Sequence, residues 1–199
     1  KEFKITYTLN CIIGIVFFLG FYAIIDNLIE LIFTAEILIS NTIVKVITIN
    51  YFIQFMRSAV LSFRDASGTF YQDRYKPLIE GIVNLVLSLI AVQYLGIFGV
   101  VLATIITNVF ITHLVEPYVL FRYGLYQNVR KHYVVNYLSI ILFIASLYLY
   151  DLMNFSGSDI LIIDLIINGF TSVFISGIIS ILIWVIYIRN FASKVTVEG

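Results

Sequence analysis

The chain has 199 residues, 61% of them hydrophobic and only 12% charged, with basic and acidic residues in equal number and a mean hydropathy of +1.01. A soluble domain carries about 25% charged residues, so water is not the main solvent of this chain. Apolar runs of about 20 residues recur, each long enough to cross a hydrocarbon core of about 30 Å. Segments such as IIGIVFFLGFYAII lack the roughly ten-residue alternation of a transmembrane barrel, which leaves helices as the spanning structure. The fold class expected is all-α, a polytopic bundle of six spanning helices.

The chain opens on Lys1, and KEFKITYTLN lacks the small-residue cleavage site of a signal peptide. It is therefore read as a C-terminal fragment of something longer. The first helix is predicted over about 7–25; Cys11, the single cysteine, lies inside it and offers neither a disulfide nor a redox site. DNLIELIFTAEILISN, residues 26–41, is read as an interfacial or half-inserted continuation.

The second helix is predicted over 42–63. Asn50, Gln54, Arg57 and Arg64 follow one another by four, three and seven residues, which places them on one helical face. An arginine at the centre of a spanning helix costs roughly 2.5–3.5 kcal/mol on insertion scales. Arg57 either snorkels to the headgroups or, with Asn50 and Gln54, lines a watered cavity. The stretch SFRDASGTFYQDRYKPLIEG, residues 62–81, then forms a loop in which Arg64, Arg74 and Lys76 with Tyr71 and Tyr75 make a basic, aromatic edge at headgroup level. That edge is ordinary anchoring or a collecting surface for an anionic substrate.

The third helix, about 78–94, carries Glu80, Asn84 and Ser88 on one face. QYLGIFG is a tight hairpin, with Gly96 and Gly99 supplying the turn. The fourth, 97–121, carries Thr104, Asn108, Thr112 and Glu116, and Pro117 predicts a kink. These polar faces either bond helices together or, through Glu80 or Glu116, form a switchable ion pair with Arg57. The fifth helix is predicted over 136–151 after a basic loop, RKHY. The sixth, 162–188, has Asn168, Ser172, Ser176 and Ser180 with Gly169 and Gly177 as a packing face.

Ten of the twelve basic residues fall on one side of this arrangement: Lys1, Lys4, Arg64, Arg74, Lys76, Arg122, Arg130, Lys131, Arg189 and Lys194. The opposite loops carry Asp26, Glu30, Glu36, Asp151, Asp159 and Asp164. By the positive-inside rule both termini are cytoplasmic. His113 and His132 have no neighbouring ligand at metal spacing, and there is no phosphate-binding GxxxxGK loop. The non-cytoplasmic loops hold carboxylates without His or Arg, which argues against a glycosyl polymerase. No enzymatic activity, catalytic residue, metal, cofactor or nucleic-acid partner is expected.

Residues 68–126 carry a Gly-x-Phe start, the RYKP turn, Glu80 and Asn84 in IEGIVNLVLS, the GIFG hairpin, Thr104 in ATIITN and the EPYVLFRY exit. In their order and spacing they resemble the oligosaccharide repeat-unit flippases of capsule and O-antigen synthesis, within the multidrug/oligosaccharidyl-lipid/polysaccharide exporter superfamily. The resemblance implies a bacterial cytoplasmic-membrane exporter of two lobes around a central cavity, about twelve to fourteen helices in all. Residues 1–126 then look like four helices of the second lobe, and 127–199 like a trailing helix pair and cytoplasmic tail. The implied partners are an undecaprenyl-pyrophosphate-linked oligosaccharide, membrane lipids and the missing N-terminal helices of the same protein. Arg57, Asn50, Gln54, Arg64, Arg74 and Lys76 are the candidate substrate-binding residues, and Glu80 and Glu116 the candidate ion-pair or gating residues. A cation-coupled multidrug antiporter of the same superfamily and a membrane scaffold for polysaccharide enzymes are the alternatives.

Overall fold

The computed structural model describes residues 2–32, 40–153 and 161–191, and within them every regular element is helical. The elements are α1 (Glu2–Ile32), α2 (Asn41–Ala66), α3 (Lys76–Thr107), α4 (His113–Val119), α5 (Arg130–Met153) and α6 (Leu161–Phe191). A 3-10 turn, Thr69–Tyr71, precedes α3, and π-helical turns at Asn108–Thr112 and Leu120–Gly124 flank α4. Five segments are long and apolar enough to cross a membrane: Glu2–Ile29, Asn41–Ala66, Lys76–Gly124, Arg130–Met153 and Ile166–Val185.

The Lys76–Gly124 segment turns back on itself. Gly96 takes φ 58°, ψ −140° inside α3, a conformation open essentially to glycine alone. Beyond it, Gly99 lies so close to Ala91 that a Cβ would stand 2.4 Å from the Ala91 carbonyl oxygen. Farther along the arms the Asn84 amide donates to Thr104 Oγ1 at 3.3 Å, a contact that a continuous helix would separate by about 30 Å. The predicted hairpin is thus present.

Packing divides the chain into two compact units, one of Lys1–Asn10 and Ile49–Val134, the other of Cys11–Thr48 and Val135–Gly199. The first centres on an aromatic cluster in which Phe3 meets Phe63 and Phe121 edge-on, with ring centroids 5.2 and 5.3 Å apart. His132 joins it, 4.6 Å from the Tyr7 ring. The second holds Ile15, Leu19, Phe143, Leu147 and Ile175 in its core. There Asp151 pairs with Lys45 and accepts a hydrogen bond from the Tyr22 hydroxyl at 2.7 Å. Asn168, Ser172 and Ser176 are buried along α6, as a packing face requires, whereas Ser180 is half-buried and Gly169 and Gly177 have open space at their Cβ positions, so the glycines do not serve close packing.

Several expected boundaries move. α1 continues to Ile32 and takes in Asp26 and Glu30, and Asp151 and Asp164 also belong to helices rather than loops. Glu36 and Asp159, with Lys1 and Lys194, lie outside the described residues. Arg130, Lys131 and His132 form the first turn of α5, not a loop, and His132 is buried. Hydropathy missed this turn because its polar residues sit on a helix end whose inner face is aromatic.

Gly96→Ala is expected to destabilise the protein by about 1–3 kcal/mol, the cost of a strained backbone, and Gly99→Ala by a similar amount through overpacking. Gly177 has open space around its Cβ position, so Gly177→Ala should be neutral or mildly stabilising. Thermal melting in detergent micelles checks all three; equal melting of the Gly96 and Gly177 variants would contradict the hairpin geometry.

Candidate functional site

A carboxylate in an apolar segment must be desolvated, and that cost is met only by cations and hydrogen bonds brought close to it. Glu116, on α4 and 1% exposed, is met from two other helices. Arg57 of α2 holds it bidentately, Nε donating to Oε2 at 2.7 Å and Nη2 to Oε1 at 2.6 Å. Lys76, at the start of α3, donates from Nζ to Oε1 at 2.7 Å. Arg64 stands 3.8 Å from the same oxygen.

The cations have further partners. Lys76 pairs with Glu80 one turn along α3, and Arg64 donates to Asp73 Oδ2 at 2.8 Å and to the exposed Asp65 at 3.3 Å. Local backbone chemistry places these groups. Gly68, with φ 65°, opens the 3-10 turn, and the Lys76 N–H donates to the Asp73 carbonyl at 2.9 Å, which turns Asp73 inward as α3 begins. Pro77, just inside that start, has no N–H that the helix would leave unmet. Arg57, Arg64 and Lys76 together balance Asp73, Glu80 and Glu116, with Lys76, Asp73 and Glu116 buried and the other three half-buried.

Beside this network is a cleft of about 330 Å³ lined by Gln54, Arg57, Glu80, Asn84, Thr104 and Asn108, among others. The Asn108 amide donates to Asn50 Oδ1 at 3.1 Å, so Asn50 stands beside the cleft through Asn108. The polar stripes of the second, third and fourth predicted helices therefore do converge. Arg57 is the one cation among the residues lining the cleft, and it joins the cleft to Glu116.

Three expectations need correction. Lys76 does not belong to an exposed basic edge: it is buried between two glutamates. Arg64 likewise turns to Asp73 and Glu116. Only Arg74 stays outside, its guanidinium 4.5 Å from the Tyr71 ring centre and 4.7 Å from that of Tyr75. Arg57 does not simply snorkel, because Glu116 holds both of its forked donors. Of the two candidate acids it is Glu116 that bonds Arg57, while Glu80 pairs with Lys76. Asp73 was missed altogether, since a single acid in a polar loop has no periodicity to mark it.

His113 Nε2 lies 3.0 Å from the Ile53 carbonyl oxygen, and among the described residues no cluster of His, Cys, Asp and Glu could hold a metal ion. No protein-family model, curated protein or solved structure matches the chain. The resemblance carried by residues 68–126 therefore has no support from these comparisons.

Glu116→Gln removes the negative charge that Arg57 and Lys76 share, together with one of its two acceptor oxygens, and is expected to cost roughly 3–5 kcal/mol, the range for breaking a buried pair. Arg57→Gln leaves Lys76 on the carboxylate and should cost less. The double variant should fall short of the sum by 0.5–3 kcal/mol, roughly the coupling of residues in contact. Denaturant unfolding in micelles measures this, and strict additivity would deny the pair any energetic link.

Proposed function

We propose that this chain is the C-terminal part of a flippase that moves undecaprenyl-pyrophosphate-linked oligosaccharide repeat units across the bacterial cytoplasmic membrane, for capsule or O-antigen polysaccharide biosynthesis. The observation that carries the reading is the double placement of Arg57, bonded to a buried glutamate and at the same time lining an open polar cleft between apolar helices. A pyrophosphate headgroup cannot cross hydrocarbon unaided and needs fixed positive charge in a watered groove. Glu116 holds Arg57 when no phosphate is there. Because Lys76 stays on Glu116, an incoming phosphate can take Arg57 without leaving the carboxylate bare. Net direction then comes from removal of product outside or from a coupled ion, since binding alone moves nothing.

The reversal at Gly96 divides Lys76–Gly124 into arms of 76–95 and 97–124, each long enough to span, and we read six spans with both termini cytoplasmic. Only 6% of the apolar window in this segment is buried, against 33–44% in the other four. Its outer faces therefore suit lipid or the further helices of a larger exporter.

The antiporter reading has one observation in its favour. Asp26 Oδ1, within the first spanning segment, is buried without a hydrogen-bond partner among the described residues, where a proton or Na⁺ would satisfy it.

The topology is tested by cysteine labelling, since Cys11 is fully buried and gives little background. Cysteines at Ser67 and Gln127 should resist an impermeant maleimide outside intact cells, and one at Ser158, outside the described residues, should react. Outside labelling at Ser67 would invert the orientation.

The transport role is tested with the full-length protein in vesicles containing fluorescent lipid-linked oligosaccharide. Arg57→Lys keeps the charge and loses the fork, so it should fold yet slow flipping by about tenfold or more, and Arg57→Gln should slow it further. If Arg57→Gln with Glu116→Gln restores both stability and flipping, Arg57 is only the structural mate of the glutamate and the phosphate role falls. Gradient-driven export of a drug-like dye, abolished by Asp26→Asn and without flipping of the lipid-linked oligosaccharide, would favour the antiporter.

A further inference from the structure

A second, larger cleft lies away from the ion-pair network. It has a volume of about 810 Å³ and is formed where the π turn after α4 meets the start of α5; Tyr118, Arg122, Tyr123, Tyr126, Gln127 and Arg130 are among its lining residues. That size falls within the roughly 300–1,000 Å³ of small-molecule sites.

Its charge is one-sided. No acidic residue occurs anywhere between Glu116 and Asp151 in the sequence, and none lines the cleft. Arg57 and Arg64 are neutralised by carboxylates and Arg74 is stacked between tyrosines. Arg122 and Arg130, both exposed on the cleft, have no acidic partner among the described residues.

The cleft is also held in shape. The Leu125 N–H donates to the Leu120 carbonyl at 2.8 Å and the Gln127 N–H to the Phe121 carbonyl at 2.9 Å. Asn128 Oδ1 accepts from the Arg130 N–H at 2.9 Å. Phe121, among the lining residues, is itself fixed by Phe3 and His132. Tyr126 takes φ 53°, the one described non-glycine residue with positive φ, and such strained residues cluster at ligand clamps.

The position selects the ligand. The cleft joins the end of one spanning segment, Gly124, to the beginning of the next, Arg130, so it lies where hydrocarbon gives way to water. Exposed tyrosines are the side chains favoured at that depth. Guanidinium forks match phosphate oxygens two at a time, and, on the orientation proposed above, on which this choice of ligand rests, the cleft faces the cytoplasmic leaflet, which is rich in anionic lipid.

We propose that this cleft binds the phosphate-bearing headgroup of an anionic membrane phospholipid, with Arg122 and Arg130 as the phosphate donors and the tyrosines flanking the glycerol. The site does not depend on what the protein transports.

The test is native mass spectrometry of the full-length protein in neutral detergent, titrated with phosphatidylglycerol and, separately, with phosphatidylcholine. Phosphatidylglycerol should bind more tightly. The Arg122→Gln/Arg130→Gln variant should lose its affinity for phosphatidylglycerol by about tenfold or more and lose much less for phosphatidylcholine, whose phosphate charge is offset by choline, and Arg122→Lys/Arg130→Lys should lose less for phosphatidylglycerol. Melting of each variant guards against misfolding, and the lysine pair, which conserves charge, serves if the glutamine pair does not fold. Unchanged phosphatidylglycerol binding in the glutamine variant would overturn the site. So would equal loss for both lipids, or displacement of the lipid by millimolar inorganic phosphate, which would make a free anion its ligand.

Discussion

A single carboxylate, Glu116, organises one of the two packing units. At 1% exposure it has no water to solvate it, so its charge is tolerated only because α2 and α3 each bring it a cation. The demand runs in both directions. Arg57 and Lys76 would themselves be intolerable in apolar helices without an acid to meet. Each of the three helices thus carries a residue that makes sense only in the presence of the other two, and the pairing fixes their register more tightly than interchangeable apolar contacts can.

The remaining charges keep this centre neutral without making it inert. Asp73 and Glu80 engage Arg64 and Lys76, which leaves Arg57 as the cation whose only bonded acid among the described residues is Glu116 and which also lines the cleft. A network in which every cation had two acids would be a lock. Here Lys76 and Arg64 have spare acceptors and Arg57 does not, so under the proposed function an anion in the cleft would compete for one residue in particular. The asymmetry follows from position in the chain: Arg64 and Lys76 flank the acid-containing turn, whereas Arg57 is two helical turns deeper.

The helical class, the hairpin and the meeting of three polar faces were legible in the sequence, because hydropathy and fourfold spacing report burial and face directly. Side-chain direction at helix ends was not. Lys76 looked like part of a surface edge because charge near a proline turn reads as loop. Two signals pointed elsewhere. A lysine in the first turn of a helix opposes the helix dipole, and Lys76 precedes Glu80 by four residues, the less favourable order for such a pair on an isolated helix. Both imply that Lys76 is held for a partner off its own helix. Asp73 and the π turns left no trace that periodicity could detect, and the turn containing His132 was misread because its burial depends on Phe3 and Phe121, remote in the chain.

The π turns explain how one helix can present its polar stripe so straight. Asn108, Thr112, Glu116 and Leu120 are all buried, while Ile106, Phe110, Leu114 and Tyr118 between them are exposed. In an α-helix a spacing of four residues overshoots a full turn by about 40°, so three such steps would carry the stripe about 120° around the axis and rotate one end out of the core. The turns at Asn108–Thr112 and Leu120–Gly124 bond i to i+5 and so hold more residues per turn, which takes up part of that drift on either side of Glu116. Pro117 lies inside α4 without interrupting it, although it withholds the donor that an α-helix would offer the His113 carbonyl. The π turns that flank α4 help keep Glu116 on the same face as Asn108, and therefore keep the ion pair beside the cleft.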